Sequence, residues 1–446
     1  MHTLVVVALI DPDLTPADAL DAPSARHSPR IHPAWWVAAV AFLTAIGAAG
    51  FRSTPGVLIE PLHDEFGWPL GLIGTAVSVN LVLFGLTAPF SAALMERLGV
   101  RRVVAAALVL VSLGSLLPIW MTSSWQLILS WGVLVGLGTG TMSMSLVATV
   151  TGRWFVKRRG LVTGVLTAAG ATGQLVFLPG LAWLAQNHGW RSAAIATAAV
   201  SVAVVPVVLW RFHSHPSDLG VAAYGAPEGT PVTPPPPPAG NPALVAIWTL
   251  REASRHGVFW LLVGSFAVCG MSTNGLVGTH FIPAAHDHGM PMTTAAGLLA
   301  LVGVFDIVGT IFSGWLTDRV DARFLLAVYY TLRGASLFLL PSLFSDRMHV
   351  NMLAFVLFYG LDWVATIPPT MALCRIAFGE RAPVVFGWVF ASHQIGAAIA
   401  AAGAGMIRDQ LGTYDLAWYA AGALCVVAAS LCASIRRRPV EAVGAT

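Results

Sequence analysis

Apolar positions run through this chain in long blocks, with neither a period of two nor a narrow helical stripe. A helical bilayer crossing takes about 20 apolar residues, and twelve blocks reach that length. Six lie at roughly 34–59, 70–94, 103–121, 125–151, 160–186 and 192–211. Six more lie at roughly 257–284, 294–316, 323–344, 350–375, 384–407 and 414–435. Long runs without alternation predict helices rather than a barrel. Between the two sets lies Phe212–His256, with an unbroken run of proline at Pro234–Pro238. Such a run is extended and semi-rigid, which makes this segment a linker. After it, Ala243–Arg255 predicts a short amphipathic helix on the membrane surface. The expected organisation is a tail at 1–33, a bundle at 34–211, a linker at 212–256, a bundle at 257–435 and a tail at 436–446. Leu4–Ile10 is too short to span and lacks basic residues before it, so a loosely held tail is expected rather than a cleaved signal.

The two sets share their punctuation 222 residues apart. Pro61, Gly67 and Pro69 recur as Pro283, Gly289 and Pro291. Glu96-Arg97 recurs as Asp318-Arg319, Arg101 as Arg323, and Gly164 as Gly387, one residue out of register. A fixed long period carried by breaks and charges marks a duplicated unit.

Composition agrees with a lipid environment. The 446 residues are 56% hydrophobic and 10% charged, against about 25% charged in soluble proteins. The placement of Arg and Lys orients the chain. With the N-terminus on the cytoplasmic side, nineteen of the 24 basic residues fall on that side. Arg191, Arg347 and Arg408 fall opposite, and Arg52 and Arg333 fall inside spans. Both termini are therefore expected in the cytoplasm, in a multi-pass protein of the cytoplasmic (inner) membrane. The four cysteines have no metal or redox spacing and read as small core residues. His286 and His288 on a loop are too little for a metal site. Glycines at 136, 138 and 140 lie in apolar helix with no following Lys-Ser/Thr, so they serve close helix packing and no nucleotide. No nucleophile, base and orienting group occur together, which points away from an enzyme. No cofactor and no nucleic-acid partner are expected.

Two turns on the basic side carry one pattern. The first reads Ala92-x-x-x-Glu96-Arg97-x-Gly99-x-Arg101-Arg102, the second Gly314-x-x-x-Asp318-Arg319-x-x-x-Arg323. A small residue lets helices approach closely, and the carboxylate can meet the positive N-terminus of a neighbouring helix. Such a contact latches one state and breaks in another. A basic loop that only orients the chain would need no latch. Trp154-Phe155-Val156-Lys157-Arg158-Arg159-Gly160-Leu161 leads into Gly164. Taken together, the turns resemble the loop signature of the major facilitator superfamily. The basic run resembles the fifth-helix motif of its monocarboxylate and bacterial oxalate/formate-type branch. Val304-Phe305-Asp306-Ile307 is similar to that branch's eighth-helix motif. It departs at Thr310, where the branch has the Arg that helps bind a carboxylate. The resemblance implies twelve transmembrane helices in two six-helix pseudo-symmetric bundles, an all-α membrane fold that rocks about one central site. The protein is expected to be a monomer, with a small molecule, protons and the lipid bilayer as its partners.

A charge inside a span is expensive and therefore paired, hydrated or functional. Arg52 offers a fork suited to an anion, and the alternative is a structural pair with Glu60. Asp306 and Asp362 are candidate proton carriers, or members of a permanent buried network with Arg333, for which a structural ion pair is the preferred reading. Asn80, Asn274, His280, Tyr359, Trp363, His393 and Gln394 are candidate cavity contributors, His280 also as a group titrating near neutrality. Glu96, Arg97, Arg101, Lys157, Arg158, Asp318, Arg319 and Arg323 are candidate gating residues. Pro55 and the Pro368-Pro369 pair are expected to kink or break their spans. The reading is a secondary transporter of a small organic anion, a carboxylate, moved with a proton. A transporter of another cargo (a hydrophobic compound, a sugar or a zwitterion) and a non-transporting receptor are the alternatives.

Overall fold

The computed structural model describes residues 31–435 apart from Pro69, Thr233, residues 235–239 and Arg347. Some helical side chains, Arg52 and Glu60 among them, also lie outside the described residues. The first half contains α1 (Pro33–Phe66), α2 (Leu70–Leu98) and α3 (Val100–Leu116). Its fourth crossing is composite: α4 (Ser124–Leu127), a π-helical stretch Ile128–Val135, α5 (Gly136–Thr141) and α6 (Met144–Trp154). Then follow α7 (Arg159–His188) and α8 (Trp190–Arg211). The linker carries α9 (Pro242–Ala253). The second half begins with α10 (Gly257–Gly270), a π-helical stretch Met271–Val277 and α11 (Gly278–Asp287). It continues with α12 (Met292–Thr317), α13 (Ala322–Leu343), α14 (Val350–Asp362), α15 (Ile367–Phe378), α16 (Ala382–Leu411) and α17 (Asp415–Ser434). Among the described residues, nine helical stretches are long and apolar enough to cross a membrane. Many large apolar side chains stay exposed on them, Leu81, Ile399 and Met406 included, as a lipid-facing surface requires.

Secondary structure follows sequence punctuation with two kinds of exception. Helix α1 runs through Pro55 to Phe66, longer than the apolar block predicts, and ends at Gly67 with φ +66°. There the left-handed turn suits a residue without Cβ. Second, the two π-helical stretches interrupt crossings whose hydropathy is uniform. Each half repeats one acid–base tie on the face away from the linker. Glu65 pairs with Arg191 at 2.6 Å, and its repeat partner Asp287 pairs with Arg408 at 2.9 Å. Trp190 adds an indole N–H to Glu65 at 2.7 Å.

The linker is tied to both halves. Tyr224 accepts from the N–H groups of Val156 (2.9 Å) and Lys157 (3.2 Å) and donates its own N–H to Trp154 O (2.8 Å). Its ring packs against Trp35 and Phe155. In α9, Ala246 is buried among Ala92, Ala93 and Val384, so this helix touches α2 and α16 together. Trp388 donates to Ala246 O at 3.0 Å, and Arg381 pairs with Glu252. Leu244, Ile247 and Trp248 remain exposed on α9, an apolar stripe that suits the membrane surface.

His215 opens the linker's 3-10 turn and donates its N–H to Asp218 at 2.9 Å. Burial first, then the Arg153 guanidinium, push its imidazole down to about 4, against the opposing pull of Asp218. An undocked linker would titrate near the ordinary value of 6.5. Docking is therefore at full strength above that value and weakens as pH falls from it toward 4. Limited proteolysis of the linker should accelerate between about pH 7.5 and pH 5, and His215→Gln should flatten the dependence. A cleavage rate that rises equally in the variant counts against His215.

Candidate functional site

The crossing that ends the Val350–Phe378 block is split. Helix α14 stops at Asp362, α15 starts at Ile367, and turns fill the gap. Pro368 and Pro369 take the first turn of α15, where a missing N–H does no harm. A break at membrane depth leaves backbone groups that must be satisfied by protein, and neighbouring helices supply them. Gly309 on α12 lies against the backbone of Leu361, and Gly360 on α14 lies against Val302 and Phe305. A Cβ at Gly360 would sit 2.7 Å from the Phe305 side chain. This close approach sets Asp306 beside the break. Asp306 Oδ1 accepts from the Val364 N–H at 3.1 Å and from the Thr310 hydroxyl at 2.8 Å.

Arg333 on α13 closes the other side. Its Nε donates to Asp362 Oδ2 at 2.6 Å. Its Nη1 donates to Cys269 Sγ (3.2 Å) and Ser272 Oγ (3.3 Å), and its Nη2 donates to Trp363 O (3.2 Å) and Asp362 O. All five guanidinium N–H groups are thus engaged. The carbonyls at the end of α14 meet a cation, and the N–H beyond them meets a carboxylate, each matching the local backbone dipole. The Arg333 side chain has 0% exposure and that of Asp362 11%. Asp362 Oδ1 is buried with no hydrogen-bond partner among the described residues. The sequence offered Asp306, Arg333 and Asp362 as members of one buried network. Cys269 and Ser272 were missed, although small polar residues three apart on the seventh span were the available signal.

A second locus lies at the linker-side end, where the halves meet. Asp318 accepts from the N–H groups of Gly160 (2.7 Å) and Leu161 (3.0 Å) at the start of α7. The backbones touch here: Gly160 and Gly314 face each other, and a Cβ at Gly164 would lie 2.6 Å from Thr310 O. Gly387 makes the repeat-related approach, where a Cβ would lie 2.6 Å from Pro89 Cα. The two turns nevertheless differ. No hydrogen bond is described for Glu96, which lines a cavity near Arg153 and Arg381 instead of capping a helix. Arg319 stacks on Trp315, 4.0 Å from the ring centre. Arg323 pairs with Asp321 (2.6 Å) and donates to Ile435 O (2.9 Å). Arg97, Arg101 and Arg158 are exposed. Arg158 precedes α7 with φ +59°, and Lys157 lies against Gly225 of the linker.

The other expected cavity residues divide. Several are tied into packing. Asn80 donates to Trp131 O (2.8 Å) in the first π-helical stretch. Tyr359 donates to Ser272 O (2.7 Å), and His280 contacts Ala401 O (2.8 Å) and Tyr414 Oη (3.3 Å). These groups answer backbone carbonyls that a distorted or packed helix leaves unpaired. His393 stacks on Phe390 and is buried. Gln394 packs at Gly85, where α16 meets α2. Asn274 is exposed in the second π-helical stretch. Trp363 is half-buried, and a methyl at Gly278 would lie 3.7 Å from its ring. Arg52 lies outside the described side chains.

Residues 40–401 match the Major Facilitator Superfamily. The uncharacterized MFS-type transporter YcxA of Bacillus subtilis is 26% identical over 419 residues, 93% of this chain and 96% of that one. Monocarboxylate transporter 13 of Rattus norvegicus is 27% identical, covering 87% of this chain and 86% of its own. Among solved structures, the human organic anion transporter MFSD10 aligns with a TM-score of 0.67 at 15% identity, over 90% of this chain and 100% of that one. The E. coli fucose:proton symporter FucP aligns with a TM-score of 0.63 at 14% identity, over 89% and 98%. At these identities the structures speak for the fold alone. The sequence match covers most of the length, and the chain belongs to the Major Facilitator Superfamily, a family of membrane transporters and not of enzymes.

Proposed function

We propose that the protein is a secondary active transporter that carries a small organic anion, a carboxylate, together with a proton across the cytoplasmic membrane. One central site is exposed alternately to each side. The observation that carries the proton half of this reading is the clamp on the α14–α15 break. Protonating Asp362, at the oxygen that has no described partner, removes the anion that holds Arg333. Protonating Asp306 weakens its hold on the Val364 N–H. Either step loosens a break whose geometry two side chains maintain, which links a proton to the shape of the tenth crossing. The anion half rests on Arg52, placed by sequence in the first crossing, and on relatives named as monocarboxylate transporters at 24–27% identity. Asn274 and Trp363 are the proposed neighbours of the cargo.

The test uses proteoliposomes with a pH gradient and a panel of short mono- and dicarboxylates. Wild-type protein should accumulate at least one of them. Arg52→Ala should abolish that uptake in a protein that still folds. Asp306→Asn should lose gradient-driven accumulation and keep exchange of labelled for unlabelled cargo. No accumulation of any carboxylate, or unchanged uptake by Arg52→Ala, overturns the anion assignment. Coupling that survives in both Asp306→Asn and Asp362→Asn overturns the proton assignment.

A further inference from the structure

A cavity of about 1180 Å³ lies at the linker-side end and reaches Pro368 and Met371 on α15. Thr149, Arg153 and Arg159 line it from the first half, Arg375 from the second, and His215, Ala222 and Thr230 from the linker. The three guanidinium groups make similar hydrogen bonds. Arg159 donates to Thr151 O (3.1 Å), Arg375 to Gly152 O (3.0 Å) and Arg153 to Ser214 O (3.5 Å). Each of these acceptors is a backbone carbonyl. Among the described residues none of the three is in an ion pair within 4.0 Å, although Glu96, Asp318 and Glu380 also line the cavity. Thr149 adds a buried polar group to the same wall. It is 1% exposed, it lines this cavity, and its hydroxyl has no hydrogen-bond partner among the described residues. A buried hydroxyl of that kind ordinarily has a partner. Thr149 and Arg153 are four apart on α6, so they share one face of that helix.

We propose that this cavity binds a small oxyanion, with phosphate or carboxylate chemistry, held by Thr149 and by Arg153, Arg159 and Arg375 together. Guanidinium groups match such oxygens in pairs, and a hydroxyl completes the set. The site is distinct from the one proposed for cargo and does not depend on that assignment. Its donors come from both halves, so a bound anion joins them at the end where Asp318 already caps α7. Occupancy favours the state closed toward the linker, since a ligand shifts an equilibrium toward the state it binds better. An anion that accumulates on the linker side would therefore slow the reopening of that side.

The experiment measures thermal unfolding of the full chain in lipid nanodiscs, in sodium phosphate against sodium chloride at equal ionic strength. Parallel samples contain sodium acetate or oxalate. Wild-type protein should gain about 3 °C or more in one of the oxyanions over chloride. Thr149→Val, which keeps the shape and removes the hydroxyl, should lose most of the gain, and Arg375→Gln should lose it as well. Arg52→Ala, which removes the proposed cargo anchor, should retain it, which separates this site from the central one. A gain with phosphate alone identifies an inorganic effector; a gain with carboxylates alone, kept in Arg52→Ala, identifies an organic one. No gain with any oxyanion overturns the proposal, and so does an equal gain in wild type and Thr149→Val.

Discussion

Arg333→Met lowers the stability of the second half by about 3–5 kcal/mol, the range for breaking a buried ion pair from one side. The expectation follows from what the guanidinium leaves behind. Asp362 would keep a buried carboxylate with neither oxygen paired, and the carbonyls of Asp362 and Trp363 would lose their donor at the break. The companion variant carries Asp362→Leu as well. Removing both charges removes the desolvated carboxylate, so the double variant should regain much of the loss. The carbonyls at the break remain without a donor, so recovery should be incomplete by about 1–3 kcal/mol. Thermal unfolding of the purified single and double variants provides the cycle. If the double variant is no more stable than Arg333→Met, the pair is not what the guanidinium holds in place. If Arg333→Met unfolds at the wild-type temperature, the clamp carries no load.

Asp318→Asn should open the linker-side end. The wild-type carboxylate accepts two backbone N–H bonds at the start of α7 and sits at its positive end. The amide keeps the shape and gives up the charge. A helix-terminal charge is worth about 0.3–2 kcal/mol, so the closed state should lose up to about 30-fold in its ratio to the open one. Spin labels at Arg102 and Phe324, both exposed on this side, report the separation of the halves. Asp318→Asn should add a longer distance to the distribution. Glu96→Gln should do so much less, since no comparable hydrogen bond is described for Glu96. Equal effects of the two substitutions would mean that the repeated motif latches symmetrically after all.

Much of this architecture was legible because lipid makes it so. Apolar blocks of bilayer length, a linker of contrasting composition and the repeat of Pro, Gly and charged residues are all one-dimensional signals. The Pro368-Pro369 pair marked the broken crossing for the same reason. The two π-helical stretches were not legible, because Ile128–Val135 has the hydropathy of any buried helix. Pairing was harder still. Asp306 and Asp362 are equally plausible partners for Arg333 at the level of depth, and only the packing at Gly309 and Gly360 assigns Asp362 to it. The contacts of the expected cavity residues were hidden for a related reason. Asn80, Tyr359 and His280 face neighbouring backbone, a direction that spacing along the chain does not encode. The motif symmetry likewise does not encode a difference in setting: Asp318 and Glu96 differ by one methylene and sit in different surroundings.

The contact between Gly160 and Gly314 has a consequence for the energetics of opening. A seal of interdigitating leucines or phenylalanines would bring apolar surface into water each time the halves part, with a large positive heat capacity. Here the surfaces that separate are peptide groups, whose hydration lowers heat capacity. The balance between closed and open states is therefore set near this contact by polar terms, and it should drift little with temperature.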